Sequence, residues 1–178
     1  IAPGKKYWIA VDARKGETGD ISLSWVTGES KAQVWSYYYA YTTGWQTGEH
    51  QRVLADVNGD GLDDIVGFAD ERVASFGDKG VIVALSQGDR FGDARTWVND
   101  FDFPHGWSLD RHPRLLADVN GDGLDDIVGF GDRGVLVSLS TANAFTSPKM
   151  WIANFGAKDG WIAGRHPRMM ADLNGDGM

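Results

Sequence analysis

The chain of 178 residues carries 17 Lys and Arg against 25 Asp and Glu, a formal net charge of −8. This balance argues against nucleic acid as a partner, since phosphate binding needs a basic surface. The chain has no cysteine, which excludes disulfides and thiolate metal sites, and no apolar stretch long enough to predict membrane insertion. Its 24 glycines, 8 tryptophans and many short Val, Ile and Leu runs broken by Gly, Asp and Asn predict an all-β fold.

The first 29 residues are the least regular part of the chain, and two interpretations of them are open. The run that begins at Ile21 keeps the register of later repeats, which favours a divergent first unit of the same array. Residues 7–25 also resemble the last two strands of the bacterial pre-peptidase C-terminal β-sandwich domain. That resemblance implies that residues 1–29 are the end of a preceding domain, with a second domain over residues 30–178.

A block of related sequence occurs three times without a gap. Each copy opens on an aliphatic residue followed by Ser or Ala, Leu and Ser, carries two tryptophans ten residues apart, and then a histidine and an arginine. Each closes on Asp-x-Asn-Gly-Asp-Gly, 35 residues after its first residue. Self-similarity at this period predicts an array of one supersecondary unit. The opening residues are Ile21, Val83 and Val137, and the closing motifs start at Asp56, Asp118 and Asp172.

The spacing of turn residues predicts four short antiparallel strands in each unit. In the second unit we expect them at 113–118, 126–131, 134–140 and 149–155. This is the size of one β-propeller blade. The inner strands are expected near Arg52, Arg114 and Arg168, and the other three strands of each unit within residues 7–40, 64–100 and 126–155.

About three four-stranded blades are therefore predicted, and three blades cannot close a ring because propellers have roughly four to eight. We expect them to belong to a six- or seven-bladed propeller. Closure by sequence outside this chain is favoured over head-to-tail association of copies. The first unit also holds eight extra residues between Phe68 and Val81, which we interpret as a loop or hairpin extension.

The repeated aspartate motif predicts calcium sites. In the first two loops, oxygen-bearing side chains stand at positions 1, 3, 5 and 9, a main-chain carbonyl is available at position 7, and glycine stands at position 6. The third loop, which starts at Asp172, lacks position 9 and is expected to bind poorly. This pattern wraps a hard cation in oxygen. A strand pattern follows, so an EF-hand is excluded, and the alternative is an Asx-rich hairpin without an ion. The predicted ligands are Asp56, Asn58, Asp60, Leu62 and Asp64 in the first loop, and Asp118, Asn120, Asp122, Leu124 and Asp126 in the second.

A Gly-Trp followed by His-x-Arg lies between the outer strand of one unit and the inner strand of the next, where clefts between blades form. Indole faces with a few fixed donors and acceptors suit a sugar. The alternative is structural: tryptophan as packing between blades, with His and Arg satisfying buried carbonyls and carboxylates. Taken alone, the pattern favours the structural role.

The runs Ala-Asp-Val-Asn-Gly-Asp-Gly-Leu-Asp-Asp-Ile-Val-Gly-Phe at 55–68 and 117–130 resemble the FG-GAP/VCBS repeat, the calcium-binding blade of integrin α-chain propellers and many secreted bacterial proteins. With the Asn-Phe-Gly, Gly-Trp and His-Pro-Arg elements, the string is more similar still to mushroom propeller lectins of the Psathyrella type. Those lectins are calcium-containing propellers that bind N-acetylglucosamine between blades. The resemblance implies sugar contacts from two sets of residues: Asp100, Trp107, His112 and Arg114, and Asn154, Trp161, His166 and Arg168.

We therefore predict a calcium-stabilised, non-catalytic propeller that binds N-acetylhexosamine-type glycans at blade junctions, with a secreted or cell-surface location. Other copies or further blades of the same propeller are the other partners considered. The alternative is an integrin-like adhesion or protein-interaction propeller within a larger secreted protein. An enzyme-accessory or lyase propeller is a third class, but the adjacent acids Asp63 and Asp64 point to opposite faces of a strand, which does not suit an acid–base pair.

Overall fold

The computed structural model describes residues 21–23, 33–70, 73, 80–175 and 177. Within that part of the chain the regular elements are β-strands and three single-turn 3₁₀ helices, so the predicted all-β class is confirmed. The strands are β1 (Ile21–Leu23), β2 (Gln33–Ser36), β3 (Arg52–Ala55), β4 (Asp64–Ala69), β5 (Gly80–Ala84), β6 (Arg95–Val98), β7 (Arg114–Ala117), β8 (Asp126–Phe130), β9 (Val135–Ser138) and β10 (Lys149–Ile152). The helices are η1 (Tyr41–Thr43), η2 (Phe103–His105) and η3 (Ala157–Asp159).

Two four-stranded antiparallel sheets of the same design form the described core. Sheet 1 has the order β3-β4-β5-β6 and sheet 2 the order β7-β8-β9-β10, so consecutive strands pair throughout. The register is repeated as well, because Arg52 pairs with Gly67 in sheet 1 and Arg114 pairs with Gly129 in sheet 2. β1 and β2 form a separate two-stranded pair. Identical registers show that the sequence repeat is also a structural repeat.

The middle strands of sheet 1 are buried along their whole length. β4 and β5 are rich in Val and Ile, and every residue in both strands is buried. Strands of this composition are typical of sheets covered on both faces. One cover is sheet 2, because Val66 and Phe68 of β4 share a core cluster with Phe101, Trp107 and Ile127 of the second unit.

Sheets 1 and 2 are also joined by hydrogen bonds near the sequence-repeat loops. Asp56 and Asp125 are joined by two hydrogen bonds. The Asp125 N–H donates to the Asp56 carbonyl at 2.8 Å, and the Asp56 N–H donates to Asp125 Oδ2 at 3.0 Å. Ser140 Oγ donates to the Val57 carbonyl at 2.6 Å. β3 and β7, the first strands of the two sheets, are in contact with each other. The repeated loops therefore lie at the same end of neighbouring sheets.

The outer face of sheet 2 is less covered than the equivalent face of sheet 1. Trp97 on β6 is 9% exposed, whereas Trp151, at the equivalent position on β10, is 50% exposed. Trp151, Ile152, Phe155 and Met170 line an apolar groove of about 400 Å³ on this face. In sheet 1 the equivalent surface is buried by the following unit.

The strand predictions for the second unit are confirmed to within three residues at each end. The inner strand predicted near Arg168 is wrong, because residues 167–172 form no strand. In the other two units this strand pairs with the strand that follows the aspartate loop, and the described residues contain no such partner for residues 167–172.

Two predictions concern residues that are mostly outside the described part of the chain. The division at residue 29/30 is one, since residues 1–20 and 24–32 are not described; β1 and β2 pair across that division. The extension between Phe68 and Val81 is the other, of which residues 71–72 and 74–79 are not described. Among the described residues no helix is both long and apolar enough to cross a membrane.

Candidate functional site

The segment between consecutive sheets is built the same way each time. The outer strand ends, a single 3₁₀ turn follows, and a glycine in the left-handed region precedes the tryptophan of each Gly-Trp pair. In the second unit Gly106 has φ 88°, and its N–H donates to the carbonyl of Phe103 to close η2. Glycine adopts this φ without steric cost, which explains why a glycine precedes the second tryptophan in all three units.

Asp100 and Asn154 hold the residue that follows them in an unusual conformation. Phe101 and Phe155 have φ of 62° and 65°, in the left-handed region. The Asp100 Oδ1 accepts the Phe101 N–H at 2.6 Å, and the Asn154 Oδ1 accepts the Phe155 N–H at 2.7 Å. Asp100 Oδ1 also accepts from Trp107 Nε1 at 3.2 Å. Both residues, predicted to contact sugar, therefore shape the main chain at the junction.

Trp107 packs against the sheet instead of presenting its indole face to solvent. The side chain is 6% exposed and lies tilted against Phe101, with ring centroids 4.8 Å apart. A Cβ built on Gly129 of β8 would stand 2.5 Å from Trp107 Cη2, so the glycine makes room for the ring. Trp45 lies on Gly67 in the same way and is 1% exposed. The predicted sugar contact of Trp107 stays a prediction, and the ring also has a packing role against Phe101 and Gly129.

Two buried histidines form the same hydrogen-bonded pair with an aspartate of their own unit. The His50 Nδ1 accepts the Gln46 N–H at 3.0 Å, so the proton lies on Nε2, which donates to Asp70 Oδ1 at 3.0 Å. The equivalent Nε2 of His112 donates to Asp132 Oδ1 at 3.1 Å. His166 accepts from the Ile162 N–H in the same way, and is exposed.

Each arginine of the His-x-Arg motif reaches back to the preceding junction. Arg114 Nη1 donates to the Phe101 carbonyl, and its guanidinium lies 4.8 Å from the ring centroid of Phe68 in sheet 1. Arg168 repeats this arrangement with the Phe155 carbonyl and the Phe130 ring. Burial lowers the pKa of Arg114 to about 10, while the carboxylate of Asp102 acts in the opposite direction. The side chain remains cationic at neutral pH.

A cleft of about 250 Å³ lies at the junction of the first and second units. Its lining from the first unit includes His50, Phe68 and Asp70, and its lining from the second includes Asp102, Phe103, Trp107, Asp110 and Arg114. Phe103 is 64% exposed and therefore presents an open aromatic face there. This is the candidate site, which we call the first junction cleft.

The first predicted sugar set is divided between two junctions. Trp107 and Arg114 line the first junction cleft, but His112 bonds Asp132 of its own unit and the lining histidine is His50. Of the second set, Trp161 and Arg168 line the apolar groove on sheet 2, while Asn154 supports the main chain and His166 is exposed.

Sequence reasoning missed His50, Asp70, Asp102 and Phe103 in the first junction cleft. A signal existed for His50 and Asp70, because each recurs at the equivalent position of the next unit, as His112 and Asp132. No repeat marks Asp102, whose equivalents are Ala40 and Gly156. Asp102 lies in the cleft because it is the residue immediately before η2, and that placement is visible only in the structure.

The aspartate loops are hairpin connections between the first two strands of each sheet, and their carboxylates bind the loop's own main chain. Asp56 accepts the N–H groups of Gly59 at 2.7 Å and Gly61 at 2.8 Å, and Asp60 Oδ1 accepts the Leu62 N–H at 2.9 Å. The second loop repeats these bonds from Asp118 and Asp122. A strand follows each loop, as predicted.

The ninth residue of the first and second loops is fully buried and hydrogen-bonds to the main chain of both its own hairpin and the segment after the next strand. Asp64 accepts the N–H groups of Val57 at 3.2 Å and Ser86 at 2.7 Å, and Asp126 accepts those of Val119 and Ser140. Burial raises the pKa of Asp64 and of Asp126 to about 6. The hydrogen bonds from the main chain act in the opposite direction and lower the pKa, but by less than burial raises it.

The donor chemistry of the loops suits a hard cation, although the side chains do not converge. Each carboxylate oxygen that accepts one N–H keeps a further lone pair. In the described residues, however, no group of three or more His, Cys, Asp or Glu side chains is placed to hold a metal ion. In the third loop Asp172 accepts the Gly175 and Gly177 N–H groups, while Asp176 lies outside the described residues.

No protein-family model matches the chain, and no curated protein matches it. Among solved structures, the chain is similar to an Agrocybe aegerita lectin studied for its specific recognition of non-reducing terminal N-acetylglucosamine. The two are 38% identical with a TM-score of 0.74, over 82% of this chain and 35% of the lectin chain. The chain thus spans about a third of that lectin's length. This likeness in sequence and structure gives the chain a lectin-like, all-β fold.

Proposed function

We propose that the chain is a calcium-stabilised, carbohydrate-binding β-propeller segment that recognises N-acetylhexosamine-type glycans in the clefts between consecutive sheets. The supporting observation is the first junction cleft, which two consecutive units line together. The similarity to a lectin that recognises terminal N-acetylglucosamine supports the same function. The proposal assigns no catalysis, and it includes a secreted or cell-surface location.

In this proposal sheets 1 and 2 are neighbouring blades of one propeller. Three features support it: both sheets are four-stranded meanders in the same register, their first strands are in contact, and their hairpin loops lie at one end. The exposed apolar face that contains Trp151 is then the surface that a further blade covers. That blade comes either from further sequence or from another copy of the chain.

The sugar would contact an aromatic face and a small number of fixed polar groups. Phe103 offers an exposed ring for the apolar C–H face of a sugar, and Trp107, a predicted sugar contact, lines the same cleft. Arg114 supplies a donor and Asp102 an acceptor at the same cleft. A few convergent polar groups beside an apolar wall are typical of small-ligand sites.

Calcium would be held by Asp56, Asn58, Asp60, the Leu62 carbonyl and Asp64 in the first loop. The equivalent ligands of the second loop are Asp118, Asn120, Asp122, the Leu124 carbonyl and Asp126. The repeated oxygen spacing and the hydrogen-bonded frame support this assignment. When bound, the ion would neutralise the aspartates of its hairpin. Its role in the proposal is to stabilise the hairpins, which set the distance between blades.

A glycan array in millimolar calcium, followed by calorimetry on the hits, tests the sugar proposal. We expect binding of N-acetylhexosamine-terminated glycans, weakened about tenfold in Phe103→Ala, because an aromatic contact contributes about 0.5–1.5 kcal/mol beyond its buried area. Tyr37→Ala is the matched control, since Tyr37 is also exposed but does not line the cleft. An array without hits, together with capture of a protein partner, would support the integrin-like alternative instead.

A further inference from the structure

The first junction cleft carries an excess of negative charge. Four carboxylate side chains line it, and Arg114 is the cationic side chain among its lining residues. The carboxylates are Glu49, Asp70, Asp102 and Asp110. His50 also lines the cleft, but its Nε2 donates to Asp70 and its Nδ1 accepts a main-chain N–H, so its ring adds no donor. Arg114 donates from Nη1 to the Phe101 carbonyl and lies over the Phe68 ring, and it also interacts electrostatically with Asp102, so it offsets part of this negative charge.

Asp102 is the most unusual member of this set. The residue is 1% exposed, and its Oδ1 accepts the His105 N–H at 3.1 Å and contacts the His105 ring Nδ1. Its other oxygen, Oδ2, is buried and has no hydrogen-bond partner among the described residues. Buried polar atoms are nearly always paired, because an unpaired one has lost its hydrogen bonds to water without replacement. A donor from a bound molecule would satisfy this oxygen.

The second junction has the opposite character. The residues equivalent to Glu49, Asp102 and Asp110 are Arg111, Gly156 and Gly164. There Asp132 is paired with Arg111 Nη2 at 2.9 Å and with Lys158 Nζ at 3.0 Å. The first junction cleft therefore differs from the second junction in its acidic character and in the unpaired buried oxygen of Asp102.

We propose that the first junction cleft binds an amino sugar with a free, protonated amine, and that Asp102 is the specificity-determining residue that accepts a hydrogen bond from the ammonium group. The proposal rests on the proposed carbohydrate function and specifies its ligand at this cleft. A hexosamine combines the apolar ring face that Phe103 suits with the positive charge that four carboxylates favour. An acetylated amine keeps an N–H donor and loses the charge.

Calorimetry with a glucosamine oligosaccharide and with its fully N-acetylated counterpart, at low and at high salt, tests this inference on the full chain. We expect the glucosamine oligosaccharide to bind more tightly at low salt, with the preference reduced at high salt because salt screens charge pairs. In Asp102→Asn we expect the free-amine ligand to lose at least about tenfold in affinity, since hydrogen bonds to charged groups are the stronger class. Asp89→Asn removes one charge from a loop outside the cleft and is the control.

The possible outcomes separate this inference from the proposed function. Binding of the acetylated ligand alone overturns the amine assignment and leaves the carbohydrate function standing, whereas binding of neither ligand overturns both. Equal loss in Asp102→Asn and Asp89→Asn overturns the role of Asp102. If Asp102→Asn does not fold, Asp110→Asn at the exposed edge of the cleft is the second variant. In Asp110→Asn, a loss of affinity that is smaller but confined to the free-amine ligand supports the inference. An equal loss of affinity for the free-amine and acetylated ligands contradicts it.

Discussion

Replacing Gly129 with alanine would test whether Trp107 is seated on sheet 2. The added Cβ would lie 2.5 Å from Trp107 Cη2 and 2.7 Å from Phe101 Cε1. Carbon atoms in contact prefer about 3.5–4.0 Å, so one of the rings has to move by about 1 Å. Both rings are buried against each other and belong to the core that joins the sheets, which leaves little room to relax.

We expect Gly129→Ala to lower the free energy of unfolding by about 3 kcal/mol, the upper end of the usual cost of overpacking. Urea unfolding followed by tryptophan fluorescence measures it. Gly164→Ala is the matched control, because a Cβ there meets no atom within 4 Å and its φ is not in the left-handed region. For the control we expect a change within about 0.5 kcal/mol.

A second substitution shows whether the cost comes from the indole. Trp107→Phe removes the ring atoms nearest to Gly129, so adding it to Gly129→Ala should restore part of the lost stability, with a coupling energy of about 1 kcal/mol or more. Gly129→Ala with the stability of the wild type would refute the packing described for Trp107. It would then favour the prediction that the indole face contacts a ligand.

Three further predictions concern the loops and the buried charges. Removing calcium with a chelator should lower the melting temperature, because a bound ion contributes about 2.7 kcal/mol per site at a free concentration a hundred times its Kd; an unchanged melting curve would contradict the assignment of the aspartate loops. Hydrogen bonds from Lys158, and to a smaller extent from His112, lower the pKa of Asp132 to about 2. The ionised carboxylate therefore stabilises the fold fully above a pH of about 4, and this stabilisation is lost as the pH falls toward 2. The wild type should accordingly lose more stability than Asp132→Asn over that range in acid unfolding, and parallel curves would show that the ion pairs contribute nothing. Arg114→Met should destabilise the chain by about 1–3 kcal/mol, since it leaves the buried Phe101 carbonyl without its donor, and a chevron or equilibrium measurement equal to the wild type would argue against that bond.

The periodicity of the sequence was enough to predict most of the fold. Each unit repeats the same aliphatic, Trp and Asp positions, and short Val/Ile runs between Gly and Asp can hardly form anything but strands. The strand near Arg168 was not predictable by the same rule, because a strand depends on a hydrogen-bonding partner as well as on its own residues. The pattern of Val and Ile runs does not indicate whether a partner strand is present.

The candidate site was predicted to the level of the segment, not of the side chain. The Gly-Trp and His-x-Arg motifs correctly indicated the junction between units, and Trp107 and Arg114 do line the cleft. The repeat could not indicate that Trp107 lies on Gly129, since this contact joins residues far apart in the sequence. Asp102 could not be found by repetition either, because it differs from the residues at the equivalent positions.

The proposed function requires that a sugar bind where two consecutive sheets meet. An NMR titration of the ¹⁵N-labelled chain with an N-acetylglucosamine oligosaccharide, and with its free-amine counterpart, tests it most directly. We expect saturable shifts of the indole N–H signal of Trp107 and of the main-chain N–H signals of Phe103 and Asp110, with the signal of Asp89 unchanged. Shifts confined to the exposed face around Trp151, or none at all with either sugar, would contradict it.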